Sequence, residues 1–147
     1  TQVAEIRVSR LVDGSFSGTW YDATRSGEGF VLEISGDTQT GEARAIVSWY
    51  TYNADDSGSQ SWLIGVGPVI ADTALVDLSI TQGTGFGAAF NSEDVVTTPW
   101  GQLSVQFTSC ETALVTFESL DTEFGSGTMT VQRLTKGPVD YKGACQL

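Results

Sequence analysis

Short segments in which apolar and polar residues alternate, each bounded by turn-forming residues, recur along most of this chain. Leu103, Val105 and Phe107, for example, alternate with polar residues, and a period of two is typical of a β-strand with one buried face. Turn signals rich in glycine, serine and aspartate separate such segments, as at 35–37 and 53–58. Segments with helical periodicity do not exceed about two turns, so the pattern predicts an all-β fold.

Eight segments have the composition of β-strands. Their predicted ranges are 18–21, 29–35, 43–52, 60–66, 74–81, 100–108, 113–119 and 127–134. The short connections favour antiparallel pairing of consecutive strands, and closing such a meander into a barrel removes its unpaired edges. We predict an up-and-down antiparallel meander of about eight strands, closed into a barrel. A β-sandwich is the alternative.

The chain of 147 residues has the length of one domain. We predict a single β-domain over 1–147, in which 1–17 form an N-terminal extension of less regular pattern and 135–147 form a C-terminal tail. The longest irregular stretch, 83–99, is too long for a hairpin turn. We expect it to be a loop that covers one mouth of the barrel or contains a short helical turn.

The charge balance excludes several kinds of partner. With 18 acidic against 7 basic residues, the formal net charge is −11, so the chain repels nucleic acid and anionic lipid headgroups. No apolar run approaches the roughly 20 residues that a membrane-spanning helix needs. We therefore expect neither nucleic-acid binding nor membrane insertion, and the oligomeric state stays open.

Histidine is absent from the sequence, which removes the commonest general base and the commonest metal ligand. The stretch 53–58 matches the start of a calcium loop, but Ile64 stands where that loop needs a bidentate acid. We interpret the stretch as a turn and expect no metal and no cofactor. Acidic pairs such as Asp22 and Glu28 would suit a glycosidase, but no other feature selects one pair, so we favour a non-catalytic protein.

The two cysteines, Cys110 and Cys145, predict a disulfide. A free thiol near the C-terminus would be a liability, whereas a disulfide would attach the tail, 135–147, to the strand region around Cys110. Closing that loop is worth roughly 3–4 kcal/mol in the chain-entropy model. A disulfide implies an oxidising location, so we expect the protein to be secreted, periplasmic or at the cell surface. Residues 1–5 have no signal-peptide character, which fits a processed form or a domain of a longer exported protein.

Aromatic residues recur beside the predicted turns and are the best candidates for a binding site. Aromatic side chains at strand ends either fill a barrel or form a stacking surface for a ligand. The predicted ligand-binding residues are Trp20, Tyr21, Asp22, Arg25, Ser26, Glu28, Tyr50, Tyr52 and Trp62. Trp49 and Trp100 belong to the same aromatic set, and the alternative is that the set packs in the core. We expect Tyr50 and Tyr52 to be more exposed than Trp49, because they lie on the opposite face of its strand.

Together these features predict an exported, non-catalytic binding module for a carbohydrate or another small ligand. The alternative is a structural or protein-interaction module of a secreted or cell-surface protein, with every tryptophan buried. Partly exposed tryptophans beside polar groups that lack partners would favour the binding module.

An ordered Gly/Trp pattern adds a family resemblance to these expectations. The pattern is Gly18-x-Trp20-Tyr21, Ser26-Gly27-x-Gly29-Phe30, Trp49-Tyr50-x-Tyr52, Gly58-x-x-x-Trp62-Leu63, Trp100-Gly101-x-Leu103, Phe107 and Arg133-Leu134. Over 18–134 it resembles a widespread Gly/Trp-rich domain of secreted bacterial proteins. The Cys110 and Cys145 pair resembles that of the disulfide-bearing members. This resemblance implies export and a β-fold, and it supplies no chemistry.

A second resemblance lies at the first predicted strand. Gly18-Thr19-Trp20-Tyr21-Asp22, followed by Ser26, is similar to the opening of the avidin family, whose members are eight-stranded barrels that bind biotin. In that family a Tyr, an Asn and a Ser contact the ureido group. Tyr21 and Ser26 match, whereas Asp22 replaces the Asn and would place a charge beside a neutral oxygen. The similarity ends after Trp62, so it implies a related barrel without biotin binding.

Overall fold

The computed structural model describes residues 12–38 and 40–135, which form an all-β fold. Its strands are β1 (Gly18–Tyr21), β2 (Gly29–Ser35), β3 (Arg44–Tyr52), β4 (Gln60–Ile70), β5 (Thr73–Gln82), β6 (Val96–Phe107), β7 (Thr112–Ser119) and β8 (Ser126–Arg133). The only helical elements in these ranges are three short 3-10 turns. None of the described helical segments is long and apolar enough to cross a membrane.

The sheet closes on itself. Each strand pairs antiparallel with the next one along the chain, and the first pairs with the last, with Trp20 opposite Arg133. The predicted meander and its closure into a barrel are therefore confirmed, and the sandwich alternative is excluded.

Strand β4 runs to Ile70, beyond the predicted end at 66. Its glycines do not end the strand. Gly65 and Gly67 lie so close to β5 that a Cβ at either position would collide with a backbone carbonyl oxygen of that strand. Glycine in a strand often marks such a close backbone approach, so the two residues allow β4 and β5 to pack tightly.

Strand β6 begins at Val96, earlier than predicted, because its first residues pair with the end of β5. Pro99 lacks an N–H, and the pairing accommodates it beside a register shift between Leu78 and Ser79. The irregular stretch is therefore only 83–95, and it contains two 3-10 turns. The expected short helical turn is confirmed in this loop.

The chain before β1 plugs one end of the barrel, here called the closed end. A 3-10 turn at Gly14–Phe16 places the Phe16 ring 4.7 Å from the ring of Phe107. Val12 and Phe16 are fully buried. The indole N–H of Trp20 donates to the carbonyl oxygen of Phe16 at 3.1 Å. The described part of the predicted N-terminal extension thus belongs to the core.

Arg133 stabilises this plug from the end of β8. Its Nη2 donates to the carbonyl oxygens of Ser15 at 2.7 Å and Ser17 at 2.6 Å. Its guanidinium lies 5.2 Å from the ring centroid of Trp20, within the range of a cation–π contact. Burial lowers the pKa of Arg133, but an arginine side chain stays charged in proteins, so the plug is held by charge-assisted hydrogen bonds.

The core fills the barrel with the inward side chains of every strand. Its largest fully buried members are Trp20, Phe16, Phe30, Phe107, Leu63, Leu78 and Leu103. On β3 the inward positions are Ala45, Val47 and Trp49, so Tyr50 and Tyr52 point outward, as predicted.

The chain leaves β8 beside the connection between β6 and β7. The backbone N–H of Arg133 donates to the carbonyl oxygen of Glu111 at 2.9 Å. Cys110 precedes Glu111 in that connection, and Cys145 lies outside the described residues, as does most of the predicted tail. The disulfide between them stays a prediction.

Candidate ligand-binding site

The end of the barrel opposite the plug, here called the mouth end, holds a cavity of about 330 Å³. We call it the mouth cavity. Four connections surround it: 22–28, 53–59, 83–95 and 120–125. Its lining comes from β3, β6 and β7 and from three of these connections, and none of it from 83–95. The long loop thus lies at the mouth end, as one expectation had it, but does not line the cavity.

Four aromatic side chains in the lining form an aromatic floor, defined as Trp49, Trp100, Phe117 and Phe124. The rings of Trp49 and Trp100 meet edge to face with centroids 5.5 Å apart. Phe117 lies 5.3 Å from Trp49, and Phe124 lies 5.4 Å from Trp100. Because β3, β6 and β7 each contribute an inward ring near the mouth, the floor is a product of strand register. These ring contacts fix the orientations of the side chains but do not provide a hydrogen-bond acceptor for either indole N–H.

Both indole nitrogens of the aromatic floor lack a hydrogen-bond partner. Trp49 and Trp100 are only 4% and 3% exposed, and the Nε1 of each is buried. A buried N–H without an acceptor costs about 1–3 kcal/mol, so a molecule that supplied acceptors here would recover that energy. The comparable indole of Trp20, at the closed end, is satisfied by a carbonyl oxygen.

Glu28 brings a half-satisfied carboxylate to the same cavity. Its Oε2 accepts from Thr51 Oγ1 at 2.8 Å and from Arg25 Nη2 at 3.2 Å. Its Oε1 is buried without a partner. The Glu28 side chain is 11% exposed and that of Arg25 is 51% exposed. One carboxylate oxygen of Glu28 therefore has unused hydrogen-bonding capacity.

Two predicted site residues shape the turn that carries Arg25 and Glu28. Asp22 Oδ1 accepts from the backbone N–H and the hydroxyl of Thr24, at 2.9 and 2.7 Å. These bonds, the hydroxyl contributing most, lower the pKa of Asp22 below its ordinary value. Ser26 is exposed in the same turn. Neither residue lines the mouth cavity.

The stretch 53–58, which matches the start of a calcium loop, forms the turn between β3 and β4. Asp55 Oδ1 accepts from the backbone N–H of Ser57 at 3.1 Å, and hydrogen bonding by Ser57 lowers the pKa of Asp55. The carboxylate is thus used within its own turn. The interpretation as a turn is confirmed. In the part of the chain that the structure describes, no three acidic, cysteine or histidine side chains are grouped to hold a metal ion.

Three of the predicted aromatics lie on the outer wall of the barrel. Tyr50 and Trp62 are cross-strand partners on β3 and β4, and Tyr52 follows on the same face. They are 39%, 52% and 42% exposed, respectively. Tyr52 also reaches the mouth cavity, where its hydroxyl donates to the carbonyl oxygen of Gly27 at 3.3 Å. We call the exposed pair Tyr50 and Trp62 the outer platform.

The structure therefore divides the nine predicted residues among five places. Arg25, Glu28 and Tyr52 line the mouth cavity. Tyr50 and Trp62 form the outer platform. Asp22 and Ser26 belong to the turn, Trp20 is fully buried at the closed end, and Tyr21 is half-buried at the end of β1.

Sequence reasoning missed Phe117 and Phe124 and did not choose Trp49 and Trp100 as site residues. A signal existed for one of them. Phe117 lies two residues after Val115, whose side chain is buried. The alternation in the sequence therefore indicates that the Phe117 side chain points inward. That β3, β6 and β7 would bring their rings to one end of the barrel required the register between strands.

No protein-family model matches the chain, and no curated protein matches its sequence. The two resemblances drawn from the sequence therefore stay expectations. The account of function rests on the geometry of the mouth cavity.

Proposed function

We propose that this protein is a non-catalytic binding module that takes a small carbohydrate into the mouth cavity. The observation that carries the proposal is the lining of that cavity. It combines an aromatic floor with three residues, Trp49, Trp100 and Glu28, that each have a buried polar atom without a partner. Concave sites with mostly apolar walls and a few polar groups are the usual form of small-molecule sites.

A sugar suits both the aromatic rings and the polar atoms of this lining. Its apolar ring face can pack on aromatic rings, which bury large areas. Each of its hydroxyl groups both donates and accepts hydrogen bonds. The two indole N–H groups lack acceptors and Glu28 Oε1 lacks a donor, and sugar hydroxyls supply groups of both kinds.

The direct test is a titration of intrinsic tryptophan fluorescence with a panel of soluble mono- and disaccharides, with biotin as a comparison ligand. We expect a saturable change with at least one sugar. Trp100→Phe keeps a ring in the floor but removes one indole N–H, and it should weaken binding about tenfold if that N–H donates to the sugar.

The matched control is Trp62→Phe, the same substitution on the outer platform, which should leave the affinity unchanged. Loss of binding in Trp62→Phe but not in Trp100→Phe would move the site to the outer wall. Because Glu28 and Glu123 both line the cavity, the same incubations should be checked for cleaved sugar. Hydrolysis abolished by Glu28→Gln would replace the binding proposal with a glycosidase.

We also propose that the module works in an oxidising compartment, secreted, periplasmic or at the cell surface. Support comes from the sequence and from the exit of the chain from β8. Arg133 is bonded to Glu111, the residue after Cys110, so the C-terminal tail begins beside the connection that carries this cysteine. A tail of that length can return to Cys110 and form the predicted disulfide.

A protein-interaction module is the second candidate, and one feature of the outer wall favours it. Trp62, Val66 and Ile70 point outward along β4 and are 52%, 53% and 63% exposed. The whole of β4 carries no charged side chain, although the protein is strongly acidic. Exposed apolar surface of this kind is typical of interaction sites. If no sugar binds, we expect Val66→Asp to abolish capture of a protein partner.

A further inference from the structure

The connections at the mouth end contain a large excess of acidic over basic side chains. Its four connections contain eight carboxylates and one basic side chain, that of Arg25, for a formal charge of −7. The carboxylates are those of Asp22, Glu28, Asp55, Asp56, Glu93, Asp94, Asp121 and Glu123. A cleft surrounded by one sign of charge raises the local concentration of ligands of the opposite sign. Anionic sugars are repelled from this end.

No cation of the described residues lies over the rings of the aromatic floor. Among the described residues, the one arginine seen over an aromatic ring is Arg133, on Trp20 at the far end of the barrel. Arg25 lines the mouth cavity and reaches Glu28. The faces of tryptophan rings attract cations, and the attraction is stronger where water is excluded. Because Trp49 and Trp100 are only 4% and 3% exposed and pack on neighbouring aromatic rings, the positive charge of a ligand has to be met mainly by a carboxylate of the cavity.

Glu28 supplies the matching anion. Arg25 engages only its Oε2, at 3.2 Å and from a half-exposed position, while the buried Oε1 has no donor. An ammonium group has three donors and a full positive charge. Bound at Oε1, the ammonium group would give this oxygen a hydrogen-bond donor and would lie within the negative field of the mouth end.

We propose that the ligand of the mouth cavity is a sugar that carries a protonated amine, with the ammonium group at Glu28 and the sugar ring against the aromatic floor. This inference rests on the proposed function and names the class of sugar. A simple alkylammonium would leave the indole N–H groups of Trp49 and Trp100 without acceptors. The hydroxyls of an amino sugar can supply such acceptors, while its ammonium group donates to Glu28.

The test compares two disaccharides that differ only in N-acetylation, which removes the positive charge and adds an acetyl group: the glucosamine disaccharide and its N-acetylated counterpart. Isothermal titration calorimetry in mildly acidic buffer, at low and at high salt, gives both affinities. We expect the amine form to bind at least about tenfold more tightly, and added salt to reduce that preference.

Variants locate the effect at the mouth. Glu28→Gln should reduce the preference for the amine to within about twofold, since it removes the charge and keeps the shape. Glu33→Gln changes the net charge equally at an exposed position on β2 and should leave the preference intact. Arg25→Gln removes the competing cation and should strengthen binding of the amine, which keeps the proposal testable if Glu28→Gln does not fold.

The outcomes separate the two levels of the account. Equal or tighter binding of the acetylated disaccharide at the mouth would overturn the amine inference and leave the carbohydrate proposal standing. A preference that falls equally in Glu28→Gln and Glu33→Gln would reduce the effect to general charge attraction and also overturn it. No binding of either disaccharide, nor of any sugar of the panel, would remove both.

Discussion

The two ends of this barrel both bury tryptophan, but they differ in whether the indole N–H is hydrogen-bonded. At the closed end, the indole N–H of Trp20 donates to a backbone carbonyl, and Arg133 lies over the ring and bonds two further carbonyls. At the mouth end, Trp49 and Trp100 are as buried as Trp20, yet neither indole N–H has a partner.

The difference separates structural tryptophans from candidate binding tryptophans. Burial does not distinguish them, since all three are less than 5% exposed. Hydrogen bonding does, because a site evolved only for stability satisfies its buried donors. At the closed end, the Nε of Arg133 is the one buried side-chain atom without a hydrogen-bond partner among the residues that the structure describes. Among the described residues, the mouth end leaves four such atoms: three belong to residues that line one cavity, and the fourth is the hydroxyl of Ser61 at the start of β4.

The largest expected effect is a loss of stability on substitution at the closed end. Phe16→Ala should lower the free energy of unfolding by about 3–5 kcal/mol, because it empties the plug and leaves a cavity against Phe107. Chemical denaturation measures the loss. Its partner is Phe124→Ala at the partly exposed mouth, which should cost clearly less. Equal losses would contradict the division of the barrel into a structural end and a binding end.

The predicted disulfide would add a second constraint at the closed end. If Cys110 and Cys145 are bonded, Cys145→Ser should lower the free energy of unfolding by roughly 3–4 kcal/mol, through the entropy of the unfolded chain. Intact mass before and after reduction, with thiol alkylation, shows whether the bond forms. Alkylation of the unreduced, denatured protein at both cysteines would refute it.

A matched pair of substitutions compares the two kinds of tryptophan directly. Trp20→Phe removes a satisfied N–H, together with the hydrogen bond to Phe16 and the contact with Arg133. Trp100→Phe removes an unsatisfied one. Beyond the loss of ring volume common to both, we expect Trp20→Phe to destabilise the protein by about 1–2 kcal/mol more than Trp100→Phe. The opposite order, measured by urea unfolding, would mean that Trp100 is a structural residue.

The smallest expected effect concerns the turn at the rim of the mouth cavity. Hydrogen bonds from Thr24 lower the pKa of Asp22, so the ionised turn is favoured above the unfolded pKa of an aspartate and is lost as pH falls through the lower, folded pKa. NMR titration should place the Asp22 midpoint below about 3.9, the value of a free aspartate. Thr24→Ala should return it toward that value, and a midpoint unmoved by Thr24→Ala would show that another group causes the shift.

The fold was predictable from the sequence because each strand carries its own signal. Alternation, with one turn signal per connection, predicted eight strands and their closure. The errors occurred where a local rule was overridden by a neighbouring strand. Gly65 and Gly67 look like a strand end but allow close approach to β5, and Pro99 looks like a strand breaker but lies beside a register shift.

The candidate site was less predictable, because it depends on register between strands that are distant in sequence. The sequence indicated an aromatic binding site, and three of its predicted residues, Arg25, Glu28 and Tyr52, line the cavity. It could not assign Trp20 to the closed end, since that follows from the plug formed by residues before β1. Nor could it reveal which indole N–H groups lack partners.

The most direct test of the account is an NMR titration that observes the four indole N–H groups, one from each tryptophan. The protein is titrated with the glucosamine disaccharide and, separately, with its N-acetylated counterpart. We expect the Trp49 and Trp100 signals to shift in a saturable manner with at least one of the two, while Trp20 at the closed end and Trp62 on the outer platform stay in place. Shifts at Trp62 alone, or no saturable shift at Trp49 and Trp100, would contradict a sugar site at the mouth end.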